Sequence, residues 1–378
     1  MTWEEHAARL ADTVVHPASR WHEPIATTPR HAFVPHWWTW TDRGWTLRDT
    51  AGDPATAYED RTLVTRVGTL HADHATPGDH PTGRPTSSST LPTLLVDMYR
   101  QAMIGDDDHV VCVTGTGYGT ALLARRLDDR RVTSVDVDPH LVATAKNRLD
   151  RIGLRPRVLE CDITGLLPVG YGSVDRIVST IGLRGIPKCW LDALAWPGRL
   201  VTTLAGTGLI IAADTTEDGG AVGTITADRA SLTHTRTGDD YPPPPDTDPA
   251  RTDDGDDVGT GRYPVLDIRR RWEVGSALAL RTPGIEHDYH EDPDGVRTAI
   301  MTHPDGSWAR ATGRRNETPT VHQSGPRRLW DDVDALRLDW LTGGELPGHG
   351  AKVVIDPDGT MHLGHRTWRT TIAPATAA

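Results

Sequence analysis

The stretch VVCVTGTGYGTALLARRL (110–127) decides the fold. Val110 to Val113 form a continuous apolar run of strand length. Gly115, Gly117 and Gly119 then interrupt it before a helical pattern at ALLARRL (121–127). A strand that breaks into glycines and restarts as a helix opens a βαβ unit. Glycine lets the backbone turn sharply and come close to a ligand. The first turn of the following helix adds unpaired N–H donors and the positive end of the helix dipole.

The same texture continues on the C-terminal side. VTSVDV (132–137), RVLECD (157–162), DRIVST (175–180) and RLVTTL (199–204) are apolar runs of strand length, and HLVATAKNRL (140–149) reads as a helix. Continuous runs alternating with helices imply a parallel sheet covered on both faces. The expected fold is therefore α/β, with a Rossmann-like core over residues 87–226. Asp136 closes the second strand, ~20 residues past the glycines, where a carboxylate accepts both hydroxyls of a ribose. Asp162 closes the third, a position suited to an adenine amine. Each glycine could be plain turn chemistry, and each aspartate a helix cap; their shared strand-end register favours a cofactor. The GxGxG spacing departs from the GxGxxG of nicotinamide loops and suits S-adenosylmethionine, with S-adenosylhomocysteine as product. The absence of a P-loop Lys-Ser/Thr pair argues against a nucleoside triphosphatase. The candidate cofactor contacts are Thr114, Gly115, Thr116, Gly117, Gly119, Asp136, Val137, Asp162 and Ile163.

Composition sets the outer limits. At 378 residues the chain exceeds one ordinary domain. With glycine counted, apolar residues reach about 45%, a normal globular share. A formal net charge of −12 argues against an electrostatic nucleic-acid binder and against a polybasic membrane surface. There is no apolar run long enough to span a bilayer, and MTWEEHAARL is acidic rather than a signal peptide. Cys112, Cys161 and Cys189 are too widely spaced for a disulfide framework or a zinc cluster. His71, His74 and His80 are spaced unlike metal ligands, so no metal is expected. The expectation is a soluble, cytoplasmic protein.

Residues 1–86 read as an N-terminal cap. Ala7, Leu10, Val14 and Val15 mark a helix ended by Pro17, and Trp37, Trp38, Trp40 and Trp45 follow, fit for a peptide groove or for core packing. The Gly/Pro-rich stretch 68–86 reads as a loop. Residues 227–262, containing YPPPPDTDPARTDDGDDVGTGR (241–262), read as a linker or insertion too poor in apolar residues to fold alone. Residues 263–378 read as a C-terminal α+β extension. There LDIRRRWEV (266–274) alternates like a strand, WDDVDALRLDWL (330–341) looks helical, and AKVVIDPDGTMHLG (351–364) looks like a hairpin.

Several motifs together resemble the protein-L-isoaspartate O-methyltransferase family. Pro29-Arg30-His31-Ala32-Phe33-Val34-Pro35 is similar to its early PR..FVP signature, and Ala57-Tyr58-Glu59-Asp60-Arg61 to its AY.D segment. Ser87-Ser88-Ser89-Thr90-Leu91-Pro92 resembles its hydroxyl-then-proline motif, expected here as a turn whose hydroxyls cap a helix starting near Leu91. The GTGYG loop, Asp136, Asp162, Val174-Asp175-Arg176-Ile177, Ile186-Pro187 and Pro197-Gly198-Arg199-Leu200 complete the match, which covers residues 1–210. The chain departs from the family at Val113, where an acidic residue is usual, and at Thr90, where serine is usual. The resemblance implies a seven-stranded class I methyltransferase sheet and an aspartyl or isoaspartyl carboxylate as methyl acceptor. It makes Thr90, with Ser89 and Ser88, the catalytic candidates.

Methyl transfer to an ionised carboxylate needs positioning rather than a strong base. Arg184, in TIGLRGIP (180–187), is a candidate for pairing with a peptide carboxylate. The long extension favours the actinobacterial branch that esterifies an aspartate of a ribosomally made, ring-constrained peptide to form an aspartimide. Repair of isoaspartyl proteins is the alternative, and a non-catalytic scaffold with a relic fold is a third. If the extension alone recognises substrate, truncation near Ala227 should spare cofactor binding and abolish peptide methylation.

Overall fold

The computed structural model describes residues 1–376 apart from 237, 345–347 and 367. Val110–Val113 lies inside a ten-stranded sheet. In spatial order its strands are Trp368–Ile372, Met361–His365, Lys352–Ile355, Ala221–Arg229, Leu209–Thr215, Leu194–Leu204, Val174–Leu183, Val110–Val113, Val132–Asp136 and Arg157–Glu160. The five strands from Leu194–Leu204 to Arg157–Glu160 are parallel, and the rest pair antiparallel. Helices Tyr118–Leu127 and Pro139–Arg151 make the crossovers of the glycine-bearing half. From Val110–Val113 the chain winds to one side, then returns to the other at Val174–Leu183. That reversal opens a crevice at the carboxyl ends of the strands.

Seven strands were implied by resemblance; the sheet has ten because residues 352–372 return to it. Lys352–Ile355 pairs with Ala221–Arg229, with Ala221 opposite Ile355 and Thr224 opposite Lys352. The expected hairpin across 351–364 forms and carries on into Trp368–Ile372. Val353, Ile355, Met361 and Leu363 bury in the same core as Ile211, Ala213 and Ile225. The extension is therefore no single appendage. Gly350 N–H donates to the Ile225 carbonyl at 2.8 Å, so the 226–349 segment is an insertion in a β-hairpin.

Within that insertion, residues 257–343 build a second unit. Its antiparallel sheet runs Asp257–Thr260, Thr320–Ser324, Trp308–Arg314, Val296–Thr302, Glu286–Glu291. Helices Trp272–Arg281 and Leu329–Gly343 cover it, with Val274, Leu278, Ala309, Trp330 and Val333 in its core. The stretch read as a linker or insertion supplies an edge strand, Asp257–Thr260. LDIRRRWEV is not a strand. It forms a tight turn at Ile268–Arg270 and then a helix, because Val274, Ala277 and Leu278 are buried at helical spacing.

The N-terminal helix Trp3–Val14 is closed by a capping box of Thr2 and Glu5 and buries Ala7, Leu10 and Ala11. A five-stranded sheet follows: His36–Thr41, Gly44–Asp49, Leu63–Val67, Leu70–His71 and Pro85–Ser89. Trp37 and Trp38 are core residues, while Trp40 is exposed against the edge of Trp45. The Ser/Thr stretch is a strand rather than a turn. Helix Pro92–Gln101 begins with proline and takes its caps from elsewhere. Asp60 accepts from Thr93 N at 2.9 Å and Oγ1 at 2.6 Å, and Thr62 Oγ1 accepts from Leu91 N at 3.2 Å. The three cysteines are free. Among the described residues, no helix is long and apolar enough to cross a membrane.

Candidate functional site

A cleft of about 690 Å³, open mouth included, lies at the carboxyl edge of the parallel strands. Gly115, at φ +49°, forms one wall. Its N–H donates to Asp136 Oδ2 at 2.9 Å, and Asp138 N–H donates to Asp136 Oδ1 at 3.1 Å. Burial outweighs these bonds and pushes the Asp136 carboxyl up to about 6. Val137, Leu141, Cys161, Asp162 and Ile163 continue the wall. Asp162 Oδ1 accepts from Thr164 N at 2.8 Å and Thr164 Oγ1 at 2.7 Å, an Asx turn that fixes the loop after the third strand.

The rest of the glycine loop serves the fold behind the cleft. Thr114 Oγ1 bonds Ser134 Oγ at 2.5 Å, which in turn bonds Thr120 Oγ1 at 2.9 Å, a buried hydroxyl chain under the loop. Thr116 is buried. Gly117 holds φ +90° at the start of Tyr118–Leu127, and a Cβ there meets Ala145 Cβ at 3.0 Å. A Cβ on Gly119 falls 2.7 Å from the buried Tyr99 hydroxyl. Thr114, Thr116, Gly117 and Gly119 therefore do not line the cleft, because close packing claims them. Gly119→Ala is expected to cost about 1–3 kcal/mol by overpacking, seen in denaturant unfolding; an unchanged midpoint contradicts it.

The hydroxyl residues of the Pro85–Ser89 strand and the residue after it divide between the lining and the interior. Ser88 and Thr90 line the cleft with Thr86 and Ser87. Ser89 is outside the lining and buried, its Oγ without a partner among the described residues. Arg30 explains why the early signature stands near this motif. Its buried guanidinium donates to the carbonyls of Ala57 (3.2 Å), Glu59 (2.7 Å), Arg61 (2.8 Å) and Thr90 (3.4 Å). One side chain thus ties two distant motifs to the acceptor end.

The fourth wall is a segment that sequence reasoning missed. Thr233, His234, Thr235 and Arg236 line the cleft as a strap entering the insertion. Gly182 N–H donates to the Thr233 carbonyl at 2.8 Å, and Thr235 N–H to the Gly182 carbonyl at 3.1 Å. At the cofactor end Arg236 reaches Asp138 Oδ2 at 3.0 Å. Asp138 also accepts from His71 Nε2 at 3.0 Å, faces Arg66 at 3.4 Å, and caps helix Pro139–Arg151. Burial raises its carboxyl, but the His71 hydrogen bond and the charges of His71, Arg66 and Arg236 hold it well below the usual range. Asp138-Pro139 carried a readable helix-start signal; the strap carried none. Arg184 is exposed and outside the cleft lining, with its charge close enough to act on His234.

Residues 111–196 match the family model described as a methyltransferase domain. With the sheet order and the cleft, this defines a Rossmann-like class I methyltransferase fold. Over part of its length the chain is similar to protein-L-isoaspartate O-methyltransferases. It is 33% identical over 92 residues to that of Rhizobium meliloti (strain 1021), covering 24% of this chain and 44% of the relative. It is 34% identical over 88 residues to that of Bradyrhizobium sp. (strain ORS 278), covering 23% and 40%. A malonyl-[acyl-carrier protein] O-methyltransferase of Laribacter hongkongensis (strain HLHK9) is 32% identical over 85 residues, covering 21% and 27%. The chain thus spans less than half the length of these curated relatives. A solved protein-L-isoaspartate O-methyltransferase aligns over 98% of this chain and 99% of its own, at 15% identity and a TM-score of 0.49.

Proposed function

We propose that this chain is an S-adenosylmethionine-dependent O-methyltransferase acting on the side-chain carboxylate of an aspartate in a ribosomally made, ring-constrained peptide, leading to a succinimide. The observation that carries the methyl-transfer reading is the cleft: Gly115 and Asp136 line one space together with Ser88 and Thr90. The residues fit the cofactor chemically. The Asp136 carboxylate suits ribose hydroxyls, and Val137, Leu141 and Ile163 give apolar surface for an adenine beside Asp162. Val113 lines the same cleft and offers no acceptor for an amino group.

When bound, S-adenosylmethionine supplies a methyl group already activated for displacement by oxygen. The protein's own residues position the acceptor. A carboxylate is ionised at pH 7, so the Ser88 and Thr90 hydroxyls need only donate to it and hold it while the strap keeps water out. Once esterified, the aspartate loses methanol as the next backbone nitrogen closes the succinimide ring on the peptide.

The inserted 257–343 unit supports a peptide substrate, because it reaches the cleft rim: Glu286 pairs with Arg84 at 2.7 Å, next to the strand that carries Ser88. Isoaspartyl repair is the second reading, favoured by the function named for two of the relatives. Methyl-labelled cofactor offered with a ring-constrained aspartyl peptide and with short isoaspartyl peptides separates them. The first reading expects a methyl gain and then net dehydration on the constrained peptide alone; transfer only to isoaspartyl peptides establishes repair. No transfer, with no S-adenosylhomocysteine binding, leaves a scaffold.

Ribose hydroxyls donate far more strongly to the ionised Asp136 carboxylate than to the neutral acid, which accepts at fewer sites. Affinity for S-adenosylhomocysteine is therefore expected to be flat above pH 7 and to fall about tenfold per unit below pH 6. Calorimetric titrations from pH 5 to 8 check this, and an affinity that rises in acid rejects the ribose role.

A further inference from the structure

His234 is held in the strap from three sides. Backbone bonds on either side of it pair with Gly182, at the end of the Val174–Leu183 strand. Tyr241 Oη donates to the His234 carbonyl at 3.0 Å and lies 3.0 Å from its N–H. Gly206 N–H donates to His234 Nε2 at 3.0 Å. This last bond fixes the tautomer: Nε2 is the acceptor, so the proton of the neutral ring is on Nδ1. Gly182 has no side chain to spare here, since a Cβ would lie 3.2 Å from His234 Cδ2.

His234 lines the same cleft as Ser88, Thr90, Thr180 and Ile181. Among the described residues nothing accepts from Nδ1. Burial first, then the charges of Arg84 and Arg184 against the opposing Glu286, lower its pKa, so the ring stays neutral near pH 7. A fixed N–H donor that shares one cleft with a hydroxyl pair suits a carboxylate.

We propose that His234 binds the methyl-acceptor carboxylate of the substrate, donating through Nδ1–H while Gly206 holds the ring by Nε2. This rests on the carboxyl-methylation reading above. The carboxylate's non-reacting oxygen takes the histidine proton as a hydrogen bond, and the oxygen that receives the methyl group stays free. A strap histidine thereby favours a carboxylate over the isosteric carboxamide of asparagine, whose neutral oxygen is the weaker acceptor and whose NH₂ cannot accept.

The test compares wild type, His234→Ala and His234→Gln. Two readouts are used: S-adenosylhomocysteine affinity alone, and, with that product bound, affinity for an aspartyl peptide and its asparaginyl counterpart. Wild type is expected to prefer the aspartyl peptide. His234→Ala is expected to lose about ten- to hundredfold in peptide affinity and in kcat/KM, the worth of one hydrogen bond to a charged group. Its affinity for S-adenosylhomocysteine should stay within about twofold of wild type, because that end of the cleft is unchanged. His234→Gln keeps an acceptor and a donor and should recover most of the loss. If His234→Ala weakens the cofactor product as much as the peptide, the histidine is only a strut and the proposal falls. An alanine variant that still tells aspartyl from asparaginyl peptide overturns it equally. If wild type methylates no carboxylate, the parent reading fails instead, and this proposal fails with it.

Discussion

Asp138→Asn is expected to destabilise the chain by about 3–5 kcal/mol, the cost of removing one partner from a buried ion cluster. The side chains of Asp138, Arg66 and Arg236 are 7%, 4% and 7% exposed. The substitution keeps the shape and deletes the one charge that both arginines share. His71 loses its acceptor as well. The sign with pH follows from the depressed carboxyl. Its contribution is complete above the unfolded value of about 4. It is lost as pH falls through the folded value. The variant should therefore differ from wild type most at neutral pH and least in strong acid. A second substitution, Arg236→Gln, should return part of the loss, because one uncompensated cation is removed. Urea unfolding at pH 7 and pH 3 measures both; equal losses at the two pH values contradict the ion-cluster account. The variant should also bind cofactor poorly, because Arg236 anchors the strap across the cleft.

The second large effect concerns truncation at Thr226. Removing all that follows takes the strap and the three returning strands together. Val353, Ile355, Met361 and Leu363 are each buried to within 2% of complete. At about 1.5–3 kcal/mol for each such side chain, their loss rivals the whole stability of a typical domain, about 5–15 kcal/mol. The truncated chain is expected to lack a cooperative melt and to bind no S-adenosylhomocysteine. This reverses the expectation that such a cut spares cofactor binding. A truncated chain that melts cooperatively and binds the product would refute the packing argument. Excising 253–343 across a short linker is the milder operation, since that unit has its own core. It should leave cofactor binding in place and impair peptide methylation.

The local half of this molecule was legible in its sequence. The glycine loop, the five parallel strands and the aspartates at 136 and 162 all follow from runs, spacings and turn chemistry that act within ~30 residues. Loop residues assigned to the cofactor divided for a reason the pattern does not carry. Gly115 faces the cleft, while Gly117 and Gly119 are glycine because Ala145 and Tyr99 leave no room. Ser88 and Ser89 look equivalent in the chain, yet Ser88 lines the cleft and Ser89 is buried outside its lining. That division was hidden because the stretch reads as a turn. What escaped altogether depends on distant pairing. Arg236 meets Asp138 across 98 positions, and Arg30 meets Thr90 across 60. Neither has a neighbourhood that announces it. The return of residues 352–372 to the sheet escaped similarly, since a hairpin motif says nothing about which edge it joins.

Because the hairpin of Ala221–Arg229 and Lys352–Ile355 is opened by its insertion, the order of synthesis matters. On the ribosome, residues 257–343 emerge complete while the sheet that bears them still lacks three strands. The guest can fold before its host. Until Lys352–Ile355 arrives, the Ala221–Arg229 strand is an unpaired edge with one apolar face, the kind that invites association with other chains. The nascent protein should therefore recruit chaperones most strongly when stalled between the emergence of residues 229 and 352. Stalled-chain crosslinking can read that directly, and release should coincide with the arrival of the last three strands.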